Sequence, residues 1–132
     1  MEISEHLNIP DIEKENLNLL AEIIYGLTDG KANLQVVGGA ISKPWPRKDI
    51  DLVIEMQSEK GNTELIKAQK SVIRLEKLVE LVEDASDGYF TKGQTRDPEI
   101  DRYVQSGDNI LQHTGSVAVI PQKGTNIELI RI

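Results

Sequence analysis

Two aspartates separated by a single residue are the clearest chemical feature of the sequence. Asp49 and Asp51 begin an apolar run that continues to Ile54. In a strand, residues i and i+2 point to the same face, so the two carboxylates project side by side while Ile50, Leu52 and Ile54 face a core. Neighbouring carboxylates repel each other and are costly to desolvate, so a chain keeps such a pair mainly where a cation lies between them. Hard oxygen ligands of this kind suit Mg²⁺ or Mn²⁺.

A glycine pair lies just upstream of these aspartates. Gly38 and Gly39 directly follow the apolar residues Val36 and Val37. Such a pair is typical of a turn that ends a strand, and this is the simpler interpretation. The alternative is a backbone cradle for phosphates, as in other glycine-rich turns. The sequence lacks the fuller glycine motifs of Walker and dinucleotide-binding loops, so both interpretations stay open.

A short basic segment, residues 42–48 (Ser-Lys-Pro-Trp-Pro-Arg-Lys), connects the glycines to the aspartates. Lys43, Arg47 and Lys48 place three positive charges in this segment of an acidic chain. A solvated basic loop is one interpretation, and recognition of phosphate beside the carboxylates is the other. We interpret Trp45 as a half-buried hydrophobic lid rather than as a platform for a base.

Composition limits the function classes. The 132 residues predict one domain, and 39% hydrophobic and 28% charged residues are ordinary for a globular protein. The absence of cysteine excludes disulfides, thiolate zinc sites and cysteine nucleophiles, and two distant histidines do not favour a histidine metal cluster. The net charge of −7 argues against broad capture of nucleic acid. Neither a membrane span nor a signal peptide is evident in the sequence, so we expect a cytoplasmic protein.

Hydrophobic periodicity predicts most of the elements. Residues 1–10 are expected to form a loose arm, and a helix starts at Asp11, its predicted N-cap, and ends at Asp29-Gly30. A second long helix is capped by Asn62 or Thr63 and carries an apolar stripe. The predicted elements are helices at 11–28 and 63–84, strands at 33–37 and 49–54, and a hairpin of strands 116–120 and 126–132 around a turn at 121–125.

The pattern between residues 85 and 114 is weaker. Tyr89-Phe90 suggests a short strand, residues 99–104 suggest a short helix, and residues 108–114 favour no element. Glu55 is expected to be solvated at the end of its strand. Glu128 lies between Ile127 and Leu129, and on its own it is interpreted as the solvent-facing residue of an edge strand.

Three segments in this order resemble the nucleotidyltransferase superfamily, which includes DNA polymerase β, the tRNA CCA-adding enzymes and the minimal nucleotidyltransferases. That family has a helix, a strand ending in Gly-Gly or Gly-Ser, a strand beginning Asp-x-Asp and a third acidic residue on a later strand. The motif sequences are most similar to those of the CCA-adding and poly(A)-polymerase branch and of some toxin–antitoxin nucleotidyltransferases. The matching segments are Val37-Gly38-Gly39-Ala40, Lys48-Asp49-Ile50-Asp51-Leu52-Val53 and Asn126-Ile127-Glu128-Leu129-Ile130.

The resemblance implies a fold and an activity. The fold would be α/β (α+β), with a mixed sheet, helices packed mainly on one face and a C-terminal β-hairpin. The activity would be Mg²⁺-dependent (or Mn²⁺-dependent) transfer of a nucleoside monophosphate from an NTP such as ATP to a hydroxyl acceptor. Asp49, Asp51 and Glu128 would be the catalytic and metal-binding residues. The residues implied to hold the triphosphate are Gly38, Gly39, Ser42, Lys43, Arg47 and Lys48.

Two other interpretations compete with the enzyme. One is an inactive nucleotidyltransferase-like module that acts with a partner protein, for example in a two-component or toxin–antitoxin system. The other is a structural domain whose Asp-x-Asp binds a cation without function. Because the chain ends four residues after Glu128, the helical second domain of the family is expected to come from a protein partner or a homo-oligomer. We expect no membrane partner, and binding of long nucleic acid by this chain alone is not favoured.

Overall fold

The computed structural model describes residues 7–37, 48–56, 64–96, 103–106, 109–112 and 115–131. Within these ranges the chain forms two helices and seven strands. The helices are α1 (Asp11–Leu27) and α2 (Glu64–Ala85), and the strands are β1 (Ala32–Val37), β2 (Asp49–Met56), β3 (Phe90–Arg96), β4 (Tyr103–Ser106), β5 (Asn109–Gln112), β6 (Ser116–Pro121) and β7 (Asn126–Arg131).

Both predicted helices are confirmed, with one correction at the start of α1. Pro10 occupies the N-cap position without a side-chain hydrogen bond, and Asp11 is the first helical residue rather than the cap. Proline suits a helix start because it has no N–H group to leave unpaired. At the other end Gly30 has a φ of 75°, and its N–H donates to the Tyr25 carbonyl at 2.9 Å. This left-handed glycine ends the helix as predicted.

Five strands form one mixed sheet in the order β1-β2-β7-β6-β3. The β2–β7 pair is parallel, and the other three pairs are antiparallel. Strand β7 therefore lies in the interior of the sheet, between β2 and β6, so the expectation of an edge strand around Glu128 is wrong. The predicted hairpin of β6 and β7 is confirmed, with Ala118 paired to Glu128.

The main core lies on the face of the sheet that both helices cover. Alternate strand residues such as Ile50, Leu52 and Ile54 are fully buried there together with residues of α1 and α2. This arrangement confirms the predicted mixed sheet with helices on one face. The fully buried large side chains of this cluster are Leu17, Leu20, Ile24, Ile50, Leu52, Ile54, Phe90, Ile127 and Leu129.

On the opposite face, the described residues form a smaller apolar cluster of Val37, Val53 and Ile130. Strands β4 and β5 form a separate two-stranded sheet, and β4 contacts β1. The short helix predicted for residues 99–104 is wrong at Tyr103 and Val104, which belong to β4. Residues 99–102 lie outside the described ranges.

The residues just before α1 are packed rather than loose. The predicted loose arm is described only from Leu7 onward, and there Leu7 and Ile9 pack against the core.

At the C-terminal end of α2, acidic residues face the negative end of the helix dipole. The structure supplies their partner in β3, because Glu80 pairs with the Lys92 ammonium at 2.9 Å and Glu83 accepts the Lys92 backbone N–H at 2.9 Å. In the described part of the chain, neither helix is long and apolar enough to cross a bilayer.

Candidate active site

Three carboxylates meet on the sheet face opposite α1 and α2. Parallel pairing sets Asp51 opposite Glu128, and alternation along β2 puts Asp49 on the same face. One oxygen from each of the three side chains lies within 4.8 Å of the others. The predicted convergence of Asp49, Asp51 and Glu128 is therefore confirmed as geometry, whereas their catalytic role stays a prediction.

The three carboxylates sit in different surroundings. Asp49 is exposed, whereas Asp51 and Glu128 are partly buried. Glu128 is held from the neighbouring strand, because the buried Ser116 hydroxyl donates to its Oε1 at 2.8 Å. The same oxygen lies 3.7 Å from the Arg96 guanidinium. A carboxylate fixed by a buried hydroxyl offers its remaining lone pairs in a defined direction.

The donor set fits a hard divalent cation. All three groups are carboxylates, and oxygen ligands of this type suit Mg²⁺ or Mn²⁺ rather than thiophilic metals. Three ionised carboxylates within one ligand sphere repel one another unless positive charge lies between them. The geometry and the charge thus favour the same kind of ligand that the Asp-x-Asp spacing predicts.

A polar contact between α1 and the β6–β7 turn fixes the strand that carries Glu128. The buried Glu13 carboxylate accepts the Thr125 backbone N–H at 3.0 Å and its hydroxyl at 3.0 Å. Asn16 Nδ2 donates to the Lys123 carbonyl at 2.6 Å. Gly124 has a φ of 106°, and a Cβ there would lie 2.6 Å from Asn16 Nδ2. The turn therefore needs glycine and holds the start of β7 against the helix.

A cavity of about 90 Å³ adjoins the carboxylates. Asp49 and Glu128 line one side, and Gln94 and Arg96 of β3 are also among its lining residues. Nucleotide pockets and other small-molecule sites are usually several hundred Å³. This cavity holds a few water molecules or one small group, so it fits the reacting end of a substrate rather than a whole nucleotide.

Most of the residues implied to hold a triphosphate fall outside the described ranges. These are Gly38, Gly39, Ser42, Lys43 and Arg47, together with the proposed lid Trp45. Lys48 is described and exposed, directly before Asp49. Glu55 is exposed as predicted. Strand β1 ends at Val37, which pairs with Asp51, so the glycines follow in sequence from a residue beside the carboxylates.

Sequence reasoning missed Ser116 and Arg96 as neighbours of Glu128. The hairpin contained a usable signal for Ser116, because its register places that residue two positions along β6 from Ala118, the partner of Glu128. Nothing in the sequence pattern assigned Arg96 to the site, because β3 was predicted only as the dipeptide Tyr89-Phe90.

The architecture is similar to solved structures of terminal uridylyl transferase 4 from Trypanosoma brucei. The structure with bound UTP and UMP superposes on 89% of this chain with a TM-score of 0.55 and 12% identity. The dUTP-bound and CTP-bound structures match 97% of the chain with TM-scores of 0.52 and 0.55 and identities of 11% and 10%. This chain spans 34% of the length of the chain with bound UTP and UMP and 37% of the dUTP-bound and CTP-bound chains.

At the level of sequence, no protein-family model and no curated protein matches the chain. The structural likeness therefore concerns the fold, and neither the CCA-adding branch nor a toxin–antitoxin system appears among these structures. The chain has a nucleotidyltransferase-like fold, with a mixed five-stranded sheet and two helices in its described part.

Proposed function

We propose that this domain is a metal-dependent nucleotidyltransferase that transfers a nucleoside monophosphate from an NTP to a hydroxyl acceptor. The observation that carries the proposal is the convergence of Asp49, Asp51 and Glu128 within 4.8 Å on the face opposite α1 and α2. The shared fold supports it, because the similar structures are nucleotidyltransferases with bound UTP, dUTP or CTP.

Asp49, Asp51 and Glu128 are the residues that would hold Mg²⁺ or Mn²⁺. When bound, such ions neutralise charge on the attacking and leaving oxygens of an in-line displacement. Ser116 keeps Glu128 oriented toward the two aspartates through its 2.8 Å hydrogen bond. The rigid strands β2 and β7 hold the carboxylates at fixed spacing, which is the positioning that phosphoryl chemistry requires.

The proposed reaction is a displacement at the α-phosphorus of the NTP. The acceptor oxygen forms a bond to this phosphorus, the bond to the β-phosphate oxygen breaks, and pyrophosphate leaves. The hydroxyl proton passes to a carboxylate at the site or to water. Glu128 is the proposed base because it lies on the side of β6 and β3, where the cavity can admit the acceptor.

The triphosphate is proposed to lie on the opposite side, near β1. Gly38 and Gly39 would present backbone N–H groups to its phosphates, and Ser42, Lys43, Arg47 and Lys48 would add hydroxyl and cationic contacts. This assignment rests on the motif order and on the end of β1 beside Asp51. These residues would contact the phosphates, so they do not indicate which base the NTP carries.

An inactive binding module remains the competing proposal, since this chain spans about a third of the similar structures. A partner protein or a second copy would then complete nucleotide binding. We also propose that the chain alone does not bind long RNA tightly, because its net charge is −7 and useful RNA binding usually needs about six or more phosphate contacts. Submicromolar binding to single-stranded RNA at about 150 mM salt would contradict this.

Incubation with each labelled NTP and Mg²⁺ or Mn²⁺ tests the activity, with label sought on RNA, protein and small molecules. We expect transfer by the wild-type chain and none by Asp51→Asn, which keeps the side-chain shape but removes a metal-binding charge. Transfer by Asp51→Asn at the wild-type rate would contradict the proposal. Label bound but never transferred, in the presence of all acceptors, would favour the binding module.

Thermal unfolding gives an independent test of the same site. Asp51→Asn is expected to leave the metal-free melting temperature unchanged or higher, because it relieves repulsion among the three carboxylates. Mg²⁺ plus NTP should stabilise the wild type by about 2.7 kcal/mol at a hundred times the Kd. The same ligands should not stabilise the mutant. Equal stabilisation of both chains would place the site elsewhere.

A further inference from the structure

A β-bulge in β3 determines which face of the sheet Arg96 reaches. Lys92 pairs with Val119 but Thr95 pairs with Val117, so Gly93 and Gln94 together oppose Ala118. The extra residue reverses the alternation along the strand. Before the bulge, Lys92 contacts α2 through Glu80, whereas after it Arg96 lies 3.7 Å from Glu128 on the other face. Without the bulge, Arg96 would point toward the helices.

The bulge is built around a close approach of two strands. A Cβ on Gly93 would lie 2.9 Å from the Ala118 Cβ and 3.0 Å from Ile120 Cδ1. Only glycine fits this position without moving β3 away from β6. Bulges often re-aim a side chain next to a functional site. Here the bulge aims Arg96 at the cavity, with Gln94 also in the cavity lining.

We propose that Arg96 is an exchangeable counter-cation that binds an anionic group, such as a phosphate, on the acceptor. In the metal-free chain its guanidinium neutralises Glu128 across 3.7 Å. With a divalent cation held by Glu128, the carboxylate would no longer need the guanidinium, and Arg96 would be available to the cavity. A guanidinium binds phosphate through paired N–H donors, and the Gln94 carboxamide can add a further donor.

The sheet order places this group on the acceptor side. Strand β1 lies on the Asp51 side of β2, while β6 and β3 lie on the Glu128 side. Of the described residues that line the cavity, Arg96 is the one with a positive charge. The inference rests on the proposed function, because the triphosphate is assigned to the β1 side. It identifies the acceptor as a phosphorylated molecule, such as a nucleotide, rather than a neutral one.

If a metal ion replaces Arg96 as the partner of Glu128, the charge of Arg96 should affect metal affinity, which can be measured without an activity assay. Arg96→Gln removes a positive charge near the carboxylates and should tighten Mn²⁺ binding by about two- to fivefold, as expected for a half-exposed ion pair. Lys92→Gln is the matched control, since it removes a positive charge from the same strand on the opposite face. Free Mn²⁺ measured by electron paramagnetic resonance gives both affinities. Equal tightening in the two variants would attribute the effect to net charge and overturn the proposal.

The second measurement concerns the anion. A nucleoside 5′-monophosphate and its unphosphorylated nucleoside are titrated by calorimetry with Mn²⁺ and a saturating α,β-methylene analogue of the NTP that stabilises the chain most. Mn²⁺ should strengthen binding of the monophosphate to the wild type, and Arg96→Gln should weaken it by about tenfold, as for a charge-assisted hydrogen bond. The nucleoside should be unaffected. Unchanged monophosphate affinity in Arg96→Gln would overturn the proposal.

Two further variants separate the possible failures. Asp51→Asn should lose Mn²⁺ binding, and if it does not, the proposed function fails before Arg96 is tested. Gly93→Ala keeps the arginine but displaces the bulge, so it should weaken monophosphate binding in the same direction as Arg96→Gln. Wild-type monophosphate binding by a folded Gly93→Ala chain would show that the bulge does not aim Arg96.

Discussion

The two faces of the central sheet divide stability from chemistry. Along β2, Ile50, Leu52 and Ile54 are fully buried under the helices, while Asp49 and Asp51 project from the other face. The same backbone therefore supports a dry aliphatic layer and a cluster of charges, one residue apart. Because strands alternate strictly, neither set can move without the other. A well-packed core is thus also what fixes the spacing of the carboxylates.

The face that carries the carboxylates also has a small buried apolar cluster. Two residues beyond Asp51 and Glu128 on their strands, Val53 and Ile130 pair with each other and are buried with Val37. This small apolar cluster therefore lies directly beside the carboxylates. The described residues thus combine a buried apolar cluster and a carboxylate cluster on one face of the sheet.

The largest difference in unfolding free energy is expected between substitutions at two adjacent residues of β7, which face opposite sides of the sheet. Leu129→Ala removes a fully buried side chain from the helix face and should lower the free energy of unfolding by about 2–5 kcal/mol. Glu128→Gln, one residue earlier, should change it by less than about 1 kcal/mol. Urea unfolding of both variants measures the difference. Similar losses in the two would show that the faces do not divide the stability in this way.

A smaller effect should come from the contact between α1 and the β6–β7 turn. Glu13→Gln weakens charge-assisted hydrogen bonds to Thr125 and should cost about 1–3 kcal/mol of unfolding free energy. If stability and chemistry are separable, the Mn²⁺ affinity of the folded variant should stay within about twofold of the wild type, since the carboxylates are untouched. A larger loss of affinity would mean that the turn positions Glu128 as well as stabilising β7.

The smallest effect belongs to the exposed pair of Glu80 and Lys92. The Lys92 ammonium lowers the pKa of Glu80 through a hydrogen bond and its charge, and the Glu80 hydrogen bond raises the pKa of Lys92. Glu80 therefore adds stability above its ordinary pKa of 4.5, and this contribution is lost as the pH falls through the lowered value.

Lys92 contributes below its ordinary pKa of 10.5, and its contribution is lost as the pH rises through the raised value. Glu80→Gln should therefore slightly flatten the acid limb of a melting-temperature profile, with little change at neutral pH. Solvent and salt screen this pair, so 1 M NaCl should remove most of the difference. A large drop at pH 7 would contradict the assignment of the pair to the surface.

Short-range patterns predicted much of the fold. The 3.6-residue period marked both helices, and short apolar runs bounded by turn residues marked β1, β2, β6 and β7. The side-by-side aspartates followed from the alternation of side chains along a strand. The motif order then added Glu128 through resemblance, although its own neighbourhood suggested an exposed edge. That suggestion failed because the parallel pairing of β7 with β2 is a long-range contact, which no local pattern encodes.

Other features of the fold and the site could not be predicted from local sequence patterns. Strands β4 and β5 have only four residues each, too few for an alternating apolar pattern to mark them in the sequence. The position of Arg96 depends on one extra residue in β3, so counting by twos from Phe90 would place it on the wrong face. Ser116 becomes a partner of Glu128 only once the hairpin register is known. The predictions for the glycine and basic segments concern residues outside the described ranges.

The parallel pairing of β2 with β7 also has a kinetic consequence. Asp51 and Glu128 come from distant parts of the chain, and the residues between them form a helix and several strands. Contacts of such high sequence separation close slowly, because a long loop must be ordered before they form. The carboxylate cluster should therefore assemble late in folding. Luminescence of a lanthanide bound at these carboxylates, followed after dilution from urea, should appear with the slow phase and report when β7 docks beside β2.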